Sequence, residues 1–327
     1  MFNMNRVYKL FALVSIALTI TGCASTPVVE PVTLPVEAVP GFDDGLDARL
    51  MTIHRGDGEG TILFDAMVDD LVDADVILVG EMHNHTESLD FIATTFESLI
   101  EKNDRLVLSM EFYERDEQLH LDDYLGGITD YAQFVKASGR NSGNNPIAHL
   151  RMIELAKELN RAVIASNAPR RYTKLARTGG FEALRELNDL QRSMVSIPTE
   201  LPTGGYADRF REAMSGMAAH GGDEMINSFL RSQTVWDQTM AESVANQVNQ
   251  HGASVFHVVG HFHVDHATTY GGSAMRDAIW ERIDPNAKIR SIVVHESDSD
   301  SLTDEDAGLD GSGPAADYIV YFKPAPE

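Results

Sequence analysis

The chain has 327 residues, 43% of them hydrophobic and 23% charged, the balance of a folded globular protein. Fifty acidic against 26 basic side chains leave a formal charge of -24, which repels a nucleic-acid backbone or an anionic lipid surface and excludes both as main partners. A single cysteine excludes an intrachain disulfide, a Cys-rich zinc module and a C-x-x-C-H haem attachment, so any metal or haem must be held by His, carboxylate, Tyr or Met.

The chain opens with Arg6 and Lys9, then an apolar run over residues 10–20 and the sequence Ile20-Thr21-Gly22-Cys23. A run of 11 residues with only Ser15 and Thr19 polar is too short to span a bilayer as a helix but suits the hydrophobic part of an export signal. The small-residue-then-Cys ending resembles the lipobox of bacterial lipoproteins. That resemblance implies a signal peptide over 1–22, acylation of Cys23, palmitate included, and, with Ala24 next, outer-membrane sorting in a bacterial envelope, facing the periplasm. Pro27, Pro31, Pro35 and Pro40 make residues 23–45 a semi-rigid linker, and the folded part is expected over 46–327.

Short apolar, β-branched runs at 76–80, 105–110, 162–166, 254–260 and 289–294 read as strands covered on both faces, with a last strand at 317–322. Helical segments are expected at about 87–102, 147–160, 171–192 and 224–250. Strand and helix alternation predicts an α/β fold: a mainly parallel sheet flanked by helices. The long connections after the second and third strands predict a smaller all-helical subdomain inserted, at about 113–150 and 193–225. Gly204-Gly205 and Gly221-Gly222 mark loops around a helical hairpin there.

Ligands of open parallel sheets sit outside the carboxyl ends of the strands. Here those ends run into Gly80-Glu81-Met82-His83-Asn84-His85, Glu111-Phe112-Tyr113, Asn167-Ala168-Pro169-Arg170-Arg171 and Gly260-His261-Phe262-His263-Val264-Asp265-His266. Glu81 and His83, two apart in an extended segment, point the same way, and either can bind a divalent metal or transfer a proton. Glu111 and His263 reach the same crevice, which makes Glu81, His83, Glu111 and His263 the candidate metal set. Arg170 and Arg171 are placed to take a carboxylate or to pair with the rim's own acids. His257 reads as a core histidine, and Trp236, Met240 and Val244 as a packed helical stripe. The acidic run 296–310 lacks the Gly and terminal Glu of a calcium loop and reads as solvated. No G-x-S-x-G, Walker or G-x-G-x-x-G element is present.

The GEMH, SMEFYERDEQ, SNAPRR, RSQTVWDQTMAES and VVGHFHV segments, in that order, resemble the ChaN-like haem-binding lipoproteins of the Tiki superfamily, over roughly residues 60–285. The resemblance implies haem b bound at the strand-end crevice between two protomers and a role in iron uptake beside an outer-membrane haem or iron receptor. It offers His83, Glu111, Arg170, Arg171 and His263 as haem contacts. Relatives generally place a Tyr within a few residues of the final G-x-x-H-V, whereas here Asp265, His266 and Ala267 follow, which leaves His266 or Tyr270 as substitutes. The wider superfamily is similar to erythromycin esterases and Tiki peptidases, so the alternative is a metal-dependent hydrolase with Glu81 and His83 as catalytic residues. Whether the chain is an enzyme is left open between these two readings.

Overall fold

Six parallel strands and one antiparallel hairpin make a single eight-stranded sheet. The computed structural model describes residues 47–140, 146–309 and 311–322, without the side chains of 217–221. The expected export signal, Cys23 and the Pro-rich linker lie outside the described residues, all of which belong to the unit formed by residues 41–327. Strands β1 (Ile53–Arg55), β2 (Thr61–Ile62), β3 (Val76–Glu81), β4 (Leu106–Glu114), β5 (Val163–Asn167), β6 (Ser254–Gly260), β7 (Ile289–Glu296) and β8 (Tyr318–Phe322) lie in the order β2-β1-β8-β7-β3-β6-β4-β5. β1 runs antiparallel to both its neighbours, and every other pairing is parallel. All the strands expected from the apolar runs form, with boundaries shifted by a residue or two at most sites, though β4 continues to Glu114.

The uninterrupted apolar character of the central strands follows from helices on both faces. Along β3, Ile77 and Val79 face one core, where α1 (Phe64–Leu71), α2 (Thr86–Ile100) and α5 (Ile147–Glu158) pack, with Phe91, Phe96, Met152 and Phe256 buried. Val76 and Leu78 face the other core, against α9 (Ser215–His251) and α10 (Ala274–Trp280) through Met240, Val244 and Met275. Met240 and Val244 are thus packed as the helical stripe requires. Each such buried side chain contributes about 1.5–3 kcal/mol, so the two cores anchor the strand ends.

The long connections carry helices, as expected: α3 (Gln118–Leu125) and α4 (Tyr131–Ser138) before α5, then α6 (Arg170–Arg185), α7 (Asp189–Arg192) and α8 (Gly205–Ala213) before α9. The helix expected over 171–192 breaks instead: Gly180 has φ of 72°, a conformation that glycine adopts without steric cost, and α7 restarts after Asn188 caps it. A similar break at Gly222 (φ 64°) interrupts α9 near its start. Two satellite apolar clusters, around Tyr172 and Leu184 and around Tyr206 and Phe210, fasten these helices to the middle of α9. Among the described residues no helix is long and apolar enough to cross a membrane.

Candidate functional site

β3 ends at Glu81, whose side chain is only 1% exposed. After it the chain turns tightly through Asn84 (φ 62°), and Ser88 Oγ accepts the Met82 N–H at 3.1 Å. The turn brings His83 back over the strand end, where His83 Nδ1–H donates to Glu81 Oε1 at 2.9 Å. From α5, His149 Nε2–H donates to the other oxygen, Oε2, at 2.6 Å. Burial alone would push the Glu81 carboxyl up, but the charge and hydrogen bonds of His149 and His83 outweigh it and hold the group below its ordinary range. His83 is correspondingly raised, first by its bond to Glu81. Its side chain stays 55% exposed, with Phe112 edge-on at 5.7 Å.

A second chain of groups meets the first across the β3–β6 junction. Glu111, in β4, accepts the Gly260 N–H at 2.8 Å and lies 3.8 Å from His263 Nε2. His263 Nδ1–H donates to Asp237 of α9 at 2.5 Å, and the buried Tyr206 hydroxyl donates to the other oxygen of that carboxylate. Burial would lower the His263 pKa, yet the Asp237 charge reverses this and raises it to about 9. His257, buried in β6 beside Ser109 Oγ at 2.9 Å, is lowered to about 3 by desolvation, fits the expected core role and stays neutral.

Two glycines make the close approach possible. A Cβ on Gly80 would lie 2.8 Å from the His261 Cα, and one on Gly260 would lie 2.9 Å from His83 Nε2. The crevice therefore presents an ionised carboxylate gripped by two imidazoles, a second carboxylate and a protonated imidazole. Such a set can exchange protons with a bound molecule or hold a divalent ion through His83, Glu111 and His263.

The structure brings Glu81, His83, Glu111 and His263 together, and it separates the remaining sequence candidates into other environments. Arg171 is spent on Asp116 at 2.6 Å and on the ring of Tyr172, and Arg170, 89% exposed, lies 3.6 Å from Glu114. These arginines pair with the rim's acids on the β5 side. His266 is largely buried: its Nδ1–H donates to the Gly313 carbonyl at 2.8 Å and its N–H binds Ala315 O, so it staples the loop around residues 313–315. Tyr270 is 66% exposed beside Trp280, which is 40% exposed, with ring centroids 5.9 Å apart and its hydroxyl donating to Glu281 at 2.9 Å.

Sequence reasoning missed His149, Asp237 and Tyr206. His149 stands inside α5, 68 positions from the carboxylate that it serves, and no short motif links them. Asp237 was legible only as a polar interruption in the apolar Val235-Trp236…Met240 stretch. A cavity of about 720 Å³ lies at the amino ends of β4, β5 and β6, lined by Arg105, Val107, Gln118 and Ile164, away from all this chemistry.

The sequence matches the family described as haem-binding uptake, Tiki superfamily, ChaN over residues 67–272, well over half of the chain. Among solved structures, ChaN of Campylobacter jejuni, described for cofacial haem binding, is 16% identical, with a TM-score of 0.63, covering 84% of this chain and 97% of its own. An erythromycin esterase mutant, EreC in its open conformation, is 13% identical, with a TM-score of 0.48 over 84% of this chain and 98% of its own. The first of these likenesses establishes the fold. No curated protein matches the sequence at a significant level. On the length of the family match, this chain belongs to the haem-binding uptake family of the Tiki superfamily, the ChaN family.

Proposed function

We propose that the protein binds ferric haem b at the carboxyl-end rim through Tyr270, as a lipid-anchored protein of the bacterial envelope that serves iron uptake. The observation that carries this reading is the exposed Tyr270, on the loop that follows the family's G-x-x-H-V segment, paired with Trp280 at the end of α10. Haem would supply a ferric iron here, and Tyr270 is the residue whose phenol oxygen would hold it. The Tyr270 pKa is raised, first by the hydrogen bond to Glu281, and Glu281 stands where it would accept the phenol proton. Arg276 lies beside the aromatic pair, its guanidinium 5.5 Å over the Trp280 ring and 3.4 Å from Asp277, where its charge would draw a carboxylate such as a haem propionate. It replaces Arg170 and Arg171 in that role. His83 suits an iron ligand less well, because its Nδ1 is held by Glu81 and its Nε2 lies against Gly260. A second copy of the chain would cover the outer haem face, in keeping with the cofacial binding described for the Campylobacter jejuni protein. Cys23 would tether the dimer to the outer membrane on its periplasmic side, near a haem or iron receptor.

A second reading rests on groups that this haem site leaves unused. The Glu81–His83–His149 clamp and the His263–Asp237–Tyr206 chain face one crevice, and one imidazole can take a proton while the other gives one, with or without a divalent metal on His83, Glu111 and His263. Activation of water against an ester or amide is the reaction such a pair supports.

One experiment separates the two readings: haemin is titrated into wild type, Tyr270→Phe and Glu81→Gln, each followed in the Soret region and assayed against ester and peptide substrates. The haem reading expects saturation near one haem per chain for wild type and Glu81→Gln, and at least tenfold weaker binding for Tyr270→Phe. Haem binding lost with Glu81→Gln but kept by Tyr270→Phe would overturn the Tyr270 assignment. Turnover by wild type that Glu81→Gln abolishes would establish the hydrolytic reading.

A further inference from the structure

Across the end of β3, the segment after β6 and the end of β7 bring together three side chains used neither by the crevice nor by the Tyr270 face. His261 follows β6, Asp265 lies one helical turn later, and His295 stands near the end of β7. His261 Nδ1 is 2.8 Å from Asp265 Oδ2, and His295 Nε2 is 3.1 Å from Asp265 Oδ1. Their ligand atoms all lie within 4.8 Å of one another. We infer that His261, Asp265 and His295 form a binding site for a divalent transition-metal ion, Zn²⁺ or a neighbour in that row.

The donor set decides the class of ion. Two imidazoles and one carboxylate suit borderline-soft cations such as Zn²⁺, Ni²⁺, Cu²⁺ or Fe²⁺, whereas Ca²⁺ and Mg²⁺ call for a shell of oxygens. Metal-bound imidazoles commonly donate their second ring nitrogen to a carboxylate, which fixes ring orientation and strengthens the ligand. His295 has this arrangement: Nε2 faces the cluster, while Nδ1 lies 3.2 Å from Asp306 Oδ1. Asp306 is in turn held by the Tyr321 hydroxyl at 2.5 Å and by Thr303 Oγ1 at 2.9 Å. The third ligand is equally fixed, because the Asp265 N–H binds His261 O at 2.8 Å and Arg209 binds Asp265 O at 3.1 Å. The requirement for glycine at position 80 also belongs to this cluster, since it lets the His261 backbone cross the end of β3. All three ligands are half-buried, so the ion would keep at least one open position for water or an exchangeable ligand. An ion with three protein ligands and an open position suits transfer or catalysis better than a purely structural role.

The test uses the full chain in detergent, purified without a polyhistidine tag and stripped of metal by chelation. Zn²⁺ binding is measured by calorimetry, and Co²⁺ is added as a spectroscopic probe of coordination. One Zn²⁺ per chain is expected, together with visible Co²⁺ bands of low-symmetry imidazole–carboxylate coordination. His261→Ala and His295→Ala should each weaken binding at least tenfold, and Asp306→Asn about 10–100-fold, while His83→Ala and Glu111→Gln leave it unchanged. His261 is the most exposed of the three, so its variant keeps the result readable if a His295 variant folds poorly. Absence of stoichiometric Zn²⁺, or binding that survives in His261→Ala and is lost in His83→Ala or Glu111→Gln, would overturn the assignment. The first outcome would leave an ion-pair cluster, and the second would put the metal in the crevice.

Discussion

Asp237 accepts from two buried partners at once, the His263 imidazole and the Tyr206 hydroxyl. A shared acceptor of that kind is costly to alter: Asp237→Asn should lower stability by about 1–3 kcal/mol, read by urea unfolding at pH 6. The His263 pKa is raised from 6.5 to about 9, so its favourable pairing is fully present below pH 6.5 and is lost as the pH climbs through about 9. The gap between wild type and Asp237→Asn should therefore narrow across that window. A gap that stays constant from pH 6 to pH 9.5 would mean that the His263 charge is not what Asp237 stabilises. At this scale the sequence was partly readable. Glu81, His83, Glu111 and His263 follow apolar runs directly, so their shared rim could be inferred, whereas His266 and Tyr270 occupy a loop whose path depends on the segment near Gly313, 47 positions from His266. Sequence offers no measure of such a contact, and the choice between a buried staple and an exposed phenol had to come from the fold.

Strand ends, and not whole helices, carry the crevice, and their packing tolerances explain which positions are fixed. A Cβ on Gly80 would meet His261 backbone, which cannot move without displacing the start of the loop, whereas one on Gly260 would meet the tip of the half-exposed His83 ring, which can swing away. Gly80→Ala should thus cost more than Gly260→Ala, by about 1–3 kcal/mol in chemical denaturation. Gly260→Ala should instead disturb the His83 environment, as seen in the imidazole resonances. Equal losses for the two would contradict this account of the β3–β6 junction. The central strands were legible because burial on both faces leaves a continuous apolar run. The hairpin of β1, three residues, and β2, two residues, is too short for any periodicity to register. The helix expected over 171–192 had the right period, but the backbone turns at Gly180, a residue that tolerates φ near 72° where other residues resist it.

Viewed as a whole, the molecule keeps its chemistry on one edge of a sheet whose two faces are sealed by helices. That edge holds a crevice with two histidine–carboxylate arrangements and, beyond it, a loop that exposes Tyr270. The formal charge of -24 disfavours close approach of two copies at low ionic strength, so a haem-bridged pair should form more completely at high salt. Family membership follows from a match over residues 67–272, and the family's description points to haem. Resonance Raman spectroscopy of the haem-loaded protein tests the ligand most directly, because an iron-bound phenolate adds its own vibrational bands. Such bands are expected in wild type and absent in Tyr270→Phe. A haem-loaded wild type that lacks them, or a Tyr270→Phe variant with the same spectrum as wild type, would contradict ligation by Tyr270.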